Sequence, residues 1–307
     1  MTFEFSDDNK RYHTLSYHNR HTYGKRVAKA VIDAGFTCPN IDGTKSHGGC
    51  IFCSGGSGYF TNGPAVPISE QIRLEKERIH RKYPDALIIA YFQAHTNTYA
   101  DIATLEKRYM EAVNAGVAGI SIATRTDCID REKIALIKSL PCPVTVELGL
   151  QSIFDRTTHN MNCCHSSSSF LSAMFLLRKN NVRTCVHIIN GLPEETPEMM
   201  LKTAESLGKQ RPDAVKIHLL HVIKDTFLYN MYERGEYIPM TKEAYIDTVV
   251  RQLEYLPPET VIERLTGDGD KRTLAAPMWS ADKISVLGGI DKRMKELDVL
   301  QGDKFVP

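Results

Sequence analysis

Residues 118–151 read AGISIATRTDCIDREKIALIKSLPCPVTVELGLQ, a strand, a helix and a second strand in succession. Ala118 to Ala123 is a short apolar run, Asp130 holds the N-cap position before the helical pattern REKIALIKSL, and Val144 to Leu150 is a second apolar run. A helix between two strands carries the chain back to its starting edge, so the strands pair in parallel. The alternation continues on both sides. Val27 to Asp33 and Ala86 to Phe92 are candidate strands before it; Thr184 to Ile189, Val215 to Leu219 and a weaker Thr260 to Leu265 follow. Further helices start at Ser69 before EQIRLEKERIH, at Thr196 with Pro197 in the first helical position, and at Thr241, and the tail from Pro277 is helical again. Repeated βα units predict an α/β protein whose parallel sheet is a barrel, complete or partial, or an open doubly wound sheet.

The 307 residues carry 42% hydrophobic side chains, enough for one large core with or without an appendage. A net charge of +1 leaves any nucleic-acid footprint to local patches. The N-terminus MTFEFSDDNKRYH lacks an apolar signal core, and no run approaches the roughly eighteen apolar residues of a membrane span, so a cytoplasmic location is expected. Eight cysteines in a reducing compartment point to metal or redox chemistry rather than to disulfides.

In either sheet, ligands sit at the carboxyl ends of the strands. Five consecutive strand exits carry polar residues: Cys38 with Cys50 and Cys53, then Gln93 to Asn97, Thr124 to Asp127, Glu147 to Gln151, and Asn190 with Gly191. The loop CPNIDGTKSHGGCIFC, residues 38–53, puts eleven residues between Cys38 and Cys50 and two between Cys50 and Cys53. Two thiolates at the shorter spacing chelate one centre, and the third closes the site. A [4Fe-4S] cubane held by only three thiolates keeps one iron open. That iron can take the amino and carboxylate groups of a ligand such as the methionine end of S-adenosylmethionine (SAM). The alternative is a structural zinc ion with His47 as fourth ligand, although no second Cys-x-x-Cys pairs with the first. Gly55 to Gly58 give a backbone able to approach a ligand closely. Cys142 and Cys185 read as small buried hydrophobes, Cys128 forms no chelating pair with the loop, and Cys163-Cys164 can approach the active face as a catalytic thiol.

These residues resemble the radical SAM superfamily, in particular its Elp3-like branch and the single-domain YhcC/YtqA type. The likeness covers nearly the whole chain: RYHTLSYHNRHTYGKRVAKAVIDAGFTCPNIDGT, AYFQAHTNTYA, ELGLQS, HIINGLPEET, VKIHLLHVIKDT, RLTGDGDKRTLAAPMW and Gln301-Gly302. It departs from the superfamily at large, which has three residues between the first two cysteines, and longer spacing is expected in this branch. The resemblance implies a partial (β/α)6 TIM-type barrel with a C-terminal helical extension. The expected division of the chain is a basic arm at 1–25, the core at 26–265 and the extension at 266–307. It implies a cluster on Cys38, Cys50 and Cys53, with SAM contacted by Gln93, His95, Thr96, Asn97, Thr124, Arg125, Glu147 and Gln151, with Ser152 nearby. Asn190 and Gly191 would lie against the adenine, and Tyr99 would cap the pocket. An electron donor such as flavodoxin or ferredoxin is implied as a partner, with no membrane. The chain has no room for the acetyltransferase domain that follows in Elp3. Relatives in this branch act on the wobble uridine of tRNA, so tRNA is the expected substrate, and a MnmL-like conversion of the 5-carboxymethylaminomethyl group to aminomethyl is the expected reaction. A small metabolite or protein side chain is the rival substrate, and a non-catalytic zinc-stapled RNA-binding protein the rival class.

Glu147 lies among apolar strand residues, where an ionised carboxylate needs a partner, and Arg125 on the neighbouring strand is the nearest candidate by sequence. His187 and His218 alternate with apolar neighbours and read as interior or pocket histidines. Between Lys10 and Ile32, Arg11, Arg20, Lys25, Arg26 and Lys29 mix with Tyr12, Tyr17, Tyr23 and three histidines without an acidic residue. Such a segment can hold phosphates and stack bases, or be a solvated arm. Arg264, Lys271 and Arg272 around Thr266 to Asp270 form a second candidate substrate loop.

Overall fold

The structure, a computed structural model, describes residues 3–54, 61–267, 269–270 and 272–307. Gly55 to Gly58, Asp268 and Lys271 lie outside the described residues. In chain order the elements are α1 (Leu15–Tyr23), β1 (Val27–Ile32), α2 (Ile68–His80), β2 (Leu87–Phe92), α3 (Ile102–Asn114), β3 (Gly119–Arg125), α4 (Arg131–Ser139) and β4 (Val144–Gln151). Then come α5 (Asp155–Asn160), α6 (Ser167–Lys179), β5 (Arg183–Asn190), α7 (Pro197–Lys209), β6 (Ala214–Leu219) and β7 (Val222–Ile223). The chain ends with α8 (Phe227–Glu233), α9 (Lys242–Tyr255), β8 (Val261–Arg264), β9 (Leu274–Ala276) and α10 (Lys283–Glu296).

The main sheet runs β1-β2-β3-β4-β5-β6-β8, with every pair parallel. Neighbours follow chain order without a reversal. This excludes the doubly wound sheet, which needs a switch point, and leaves the partial barrel. The sheet has seven strands rather than six, because the weak seventh run pairs with β6 through Ala214 and Val261. Asp130, Thr196 and Thr241 cap their helices as expected, each accepting from a backbone N–H three residues on. Ser69 does not: α2 begins at Ile68, and the Ser69 backbone N–H donates to Glu111 instead.

Period-2 alternation divides each strand between two environments. Val146, Leu148 and Leu150 of β4, with Ile120, Ile122, Val186, Ile188, Val215 and Ile217, join the core that includes Leu105, Ile134, Phe170, Leu207, Tyr245 and Ile290 of the helices. Full burial stabilises each such side chain by about 1.5–3 kcal/mol. The intervening positions turn into the barrel and are polar: Lys29, Tyr91, Ser121, Glu147, His187, Lys216 and Glu263.

The N-terminal segment is neither a solvated arm nor a rim of the cysteine-bearing end. Thr14 caps α1 and bridges to Ile262, and Leu15 packs with Cys185, Ala214 and Val261. Tyr12 and His13 are buried. Arg11 pairs with Asp298 and Arg20 with Asp7; Lys25 and Arg26 lie exposed at the amino end of β1, with Arg26 over the Tyr83 ring. Cys38 follows the opposite end of the same strand, so the expected basic footprint and the cysteine loop occupy opposite ends of the barrel. Arg272 pairs with Asp270. Beyond β8, β9 pairs antiparallel with β7.

Gln301 ties these ends together. Its Oε1 accepts from His13 N at 2.9 Å, and its Nε2 donates to Pro257 O at 2.6 Å and Thr260 O at 2.8 Å. Replacing it by leucine removes three hydrogen bonds to buried backbone groups, of which Pro257 O keeps a second partner in Thr260 N at 3.0 Å. Gln301→Leu is expected to lower unfolding free energy by about 3 kcal/mol in urea titration; a change under about 1 kcal/mol would remove this account of how the termini are held.

Candidate active site

The cysteine loop takes its shape from short backbone bonds and from a turn far away in sequence. Cys38 O accepts from Ile41 N at 2.8 Å, Gly49 N donates to Asn40 O at 2.8 Å, and Cys53 N donates to Cys50 O at 2.8 Å. The turn after α5 then clamps it. Asn162, at φ 54°, donates from Nδ2 to Gly49 O at 2.7 Å and His47 O at 3.2 Å, and accepts from Ser46 Oγ at 2.7 Å. Asn40 Nδ2 returns a bond to Asn162 O at 2.5 Å, and Ile51 N donates to Met161 O at 3.1 Å. Tyr99 Oη hydrogen-bonds Thr44 Oγ1 at 2.7 Å, so it braces the loop rather than capping a pocket.

Cys38, Cys50 and Cys53 line one cavity of about 220 Å³ with Gln93, His95, Thr96, Thr124, Arg125, Glu147 and Gln151. Cys163 also lines it; Cys164 does not, but its carbonyl accepts from Arg125 at 3.2 Å. Nδ1 of His95 is buried without a partner. The structure brings these residues together at the strand exits and leaves Asn97, Asn190, Gly191 and Ser152 out of the lining. Asn97 turns its Nδ2 to Phe92 O and Ala123 O, joining strand ends. The Asn190 amide is locked to Gln252 on α9, and Gly191 O accepts from Tyr237, so neither reaches the cavity. Ser152 faces Glu195.

Glu147 is wholly buried and pairs not with Arg125 but with Lys29 at 2.6 Å and with Lys216, while Ser121 and His187 also donate to it. Arg125 is engaged in a two-pronged pair with Asp127 at 2.9 Å. Four donors occupy both Glu147 oxygens, which leaves no lone pair for a cofactor. The expected SAM ligand is therefore a wall of the cavity. Burial opposes its ionisation, but Lys216, Lys29 and the His187 bond outweigh it and hold the carboxyl well below its usual range. Lys29 reaches on to Glu263 at 2.8 Å, and Arg183 joins Glu263 at 3.3 Å. Against burial, Lys29 and Lys216 bring Glu263 down to about 2.

A second cavity, of about 290 Å³, shares Phe52, Cys53, Gln93, Gln151 and His187 with the first and extends past Lys216, His218 and His221 to Arg264. Sequence reasoning missed Asn162, His221 and Lys216. Only the neighbouring pair Cys163-Cys164 drew attention to the clamp.

The thiols themselves test what they can hold. A tetrahedral ion with sulfur ligands at about 2.3 Å draws them to within about 4 Å of one another. Among the described residues, the one trio of His, Cys, Asp or Glu whose ligand atoms come within 4.8 Å is Glu147, Cys185 and His187, and that carboxylate already serves two lysines. Cys38, Cys50 and Cys53 are not drawn together in that way, which leaves room among them for a group larger than one ion. His47 is exposed, lies off the cavity lining and packs near Gly43, so the Cys3His zinc set is not assembled. A hydrogen bond with Cys163, aided against burial by Arg125 and Asn40, lowers the Cys50 thiol toward the thiolate that ligation needs.

Comparison with known proteins agrees with this geometry. The Radical SAM superfamily profile matches residues 41–207 and the Radical_SAM C-terminal domain matches 212–296. The chain is 42% identical to YtqA of Bacillus subtilis over 99% of its own length and 95% of that protein. It is 26% identical to the tRNA uridine(34) acetyltransferase of Methanocaldococcus jannaschii, over 78% of this chain and 50% of that protein. Among solved structures, Elp3 of Methanocaldococcus infernus superposes with a TM-score of 0.68 at 20% identity, covering 90% of this chain and 64% of that one. The chain belongs to the radical SAM superfamily, whose enzymes use a [4Fe-4S] cluster and SAM, and it is related to Elp3-type tRNA modification enzymes.

The buried Glu147 carboxylate sets a pH signature. Its folded value lies below the ordinary 4.5, so its contribution is complete above about pH 4.5 and is lost as the pH falls from there toward the folded value. Glu147→Gln is expected to destabilise the protein by about 3 kcal/mol at pH 7, with a smaller gap at pH 3.5, in urea titrations. A gap that widened in acid would contradict the sign of the shift.

Proposed function

We propose that Cys38, Cys50 and Cys53 hold the [4Fe-4S] cluster, that Gln93, His95, Thr96, Thr124, Arg125 and Gln151 surround SAM beside it, and that the substrate is the wobble uridine of tRNA. The observation that carries the cofactor part is the shared cavity: three thiols, spread wider than one ion needs, open onto a polar chamber at the strand ends. When bound, the cluster and SAM supply one-electron chemistry that abstracts a hydrogen atom from a substrate carbon, with an electron donor of the flavodoxin or ferredoxin kind.

The residues of this chain do the positioning. Asn162 and Tyr99 fix the cysteine loop, Arg125 sets a positive charge near Cys38 and Cys50, and the Glu147 network closes the interior. The tRNA part is supported by likeness to a protein named for uridine 34 and by the second chamber, which gives a substrate room next to the first. An anticodon loop can present an unstacked base to such a chamber. The proposed conversion breaks the bond between the amine nitrogen and the carboxymethyl carbon of 5-carboxymethylaminomethyl(-2-thio)uridine: loss of a hydrogen atom and one further electron from that carbon would give an imine, water would release the arm as glyoxylate and leave the 5-aminomethyl base, and SAM, reduced to 5′-deoxyadenosine and methionine, would take up the two electrons.

Two measurements test this. Anaerobically reconstituted wild type is expected to hold about four irons per chain and Cys50→Ala clearly fewer, with loss of the broad visible absorption; full iron in the variant would remove Cys50 from the ligand set. Mass spectrometry of tRNA nucleosides from cells lacking the gene is expected to show the carboxymethylaminomethyl base accumulating at the expense of the aminomethyl base. An unchanged profile would remove tRNA as substrate and favour a small metabolite or a protein side chain.

A further inference from the structure

We infer that the second chamber seats the substrate's heterocyclic ring and that His218 and His221 read its hydrogen-bonding edge. This rests on the tRNA reading above and names the residues that would recognise the base.

His218 projects inward from β6, and His221 follows in the turn before β7; both line the chamber. The Nε2 atoms of both are buried without a hydrogen-bond partner. Such an orphan costs about 1–3 kcal/mol, a cost relieved when a bound group supplies the partner. Burial pushes His221 down to about 4 and His218 well below its ordinary value, so both are uncharged at neutral pH. An uncharged imidazole offers one donor and one acceptor. An imide edge, which alternates carbonyl and N–H, matches that pair, whereas phosphate and carboxylate are best served by charged donors.

The rings are fixed in advance. A Cβ on Gly267 would come 3.0 Å from His221 Cε1, and one on Gly269 would come 3.1 Å from its Nδ1, so glycine at both positions lets the loop lie directly on the ring. The His218 ring stands 5.3 Å from that of His187, which Glu147 anchors through Nε2. Phe52, Ile189 and Leu219 add apolar wall suited to a flat ring. Cys53, Gln93 and Gln151 belong to both cavities, so a ring seated here adjoins the cysteine-lined chamber.

The test measures binding of two RNAs to cluster-loaded enzyme without reductant: an anticodon stem-loop with uridine at position 34, and the same RNA abasic there. On the wild type, losing the base is expected to weaken binding about a hundredfold. His218→Phe and His221→Phe keep a flat ring and remove the nitrogens. Each is expected to weaken the uridine RNA about tenfold and leave the abasic RNA unchanged. Glutamine at either position restores a polar group and is expected to recover part of the loss, and thermal midpoints check that each variant is folded.

Equal weakening of both RNAs would mean that the chamber holds backbone phosphate, and no weakening of either would mean that the histidines do not meet the substrate; both results overturn the inference. Glutamine variants as weak as phenylalanine would overturn the hydrogen-bonding role. Wild type that binds neither RNA would remove the tRNA reading itself, before any variant is compared, and this inference with it.

Discussion

The carboxylate of Glu147 sits in the middle of the barrel and is the charge around which the interior is built. It joins Lys29 of β1 to Lys216 of β6, and through Lys29 it is linked to Glu263 of β8, the two edges of the sheet. A buried charge without partners would cost several kcal/mol, so these strands must curl until opposite charges meet. Apolar packing against the helices stabilises the outer face of the sheet. The ion network gives the inner face a geometry that hydrocarbon alone would not specify, and it does so directly beneath the cavity that holds the three thiols.

That position explains the division of labour between the strand ends. Below the cavity, acceptors are exhausted: each Glu147 oxygen is doubly occupied. Above it, polar atoms remain available at His95 and, in the neighbouring chamber, at His218 and His221. A saturated floor under a partly unsatisfied ceiling holds its shape before a ligand arrives. Preorganisation of this kind keeps reorganisation cost out of the binding and chemical steps.

The cysteine loop shows the same economy by another route. It contains no helix or strand long enough to set its own shape, and it borrows one from the Met161–Asn162 turn, whose side chain and backbone bond to residues 40, 46, 47, 49 and 51. Cys163 follows in that turn and reaches the same cavity. Three thiols on a glycine-rich loop are therefore held by a rigid turn about 110 residues later in the chain, which ties cofactor geometry to the packing of α5.

The sequence by itself determined the βα alternation, the positions of six strands within a residue or two, three of the helix caps, the cysteine triad and the strand ends that face it. These are local properties: hydrophobic period, cap chemistry and ligand spacing are written in neighbouring residues. Tertiary structure alone decided the rest. It chose the singly wound sheet, paired the weak run near 261 with β6 as a seventh strand, and docked the segment before residue 25 on the barrel through Tyr12, His13 and Leu15. It gave Glu147 partners 118 and 69 residues away in place of Arg125, and turned Asn190 toward α9 and away from the cavity. Period-2 alternation says that a side chain faces one side of a strand; which charges wait there depends on barrel closure, and that brings together residues whose separation leaves no mark in the local sequence.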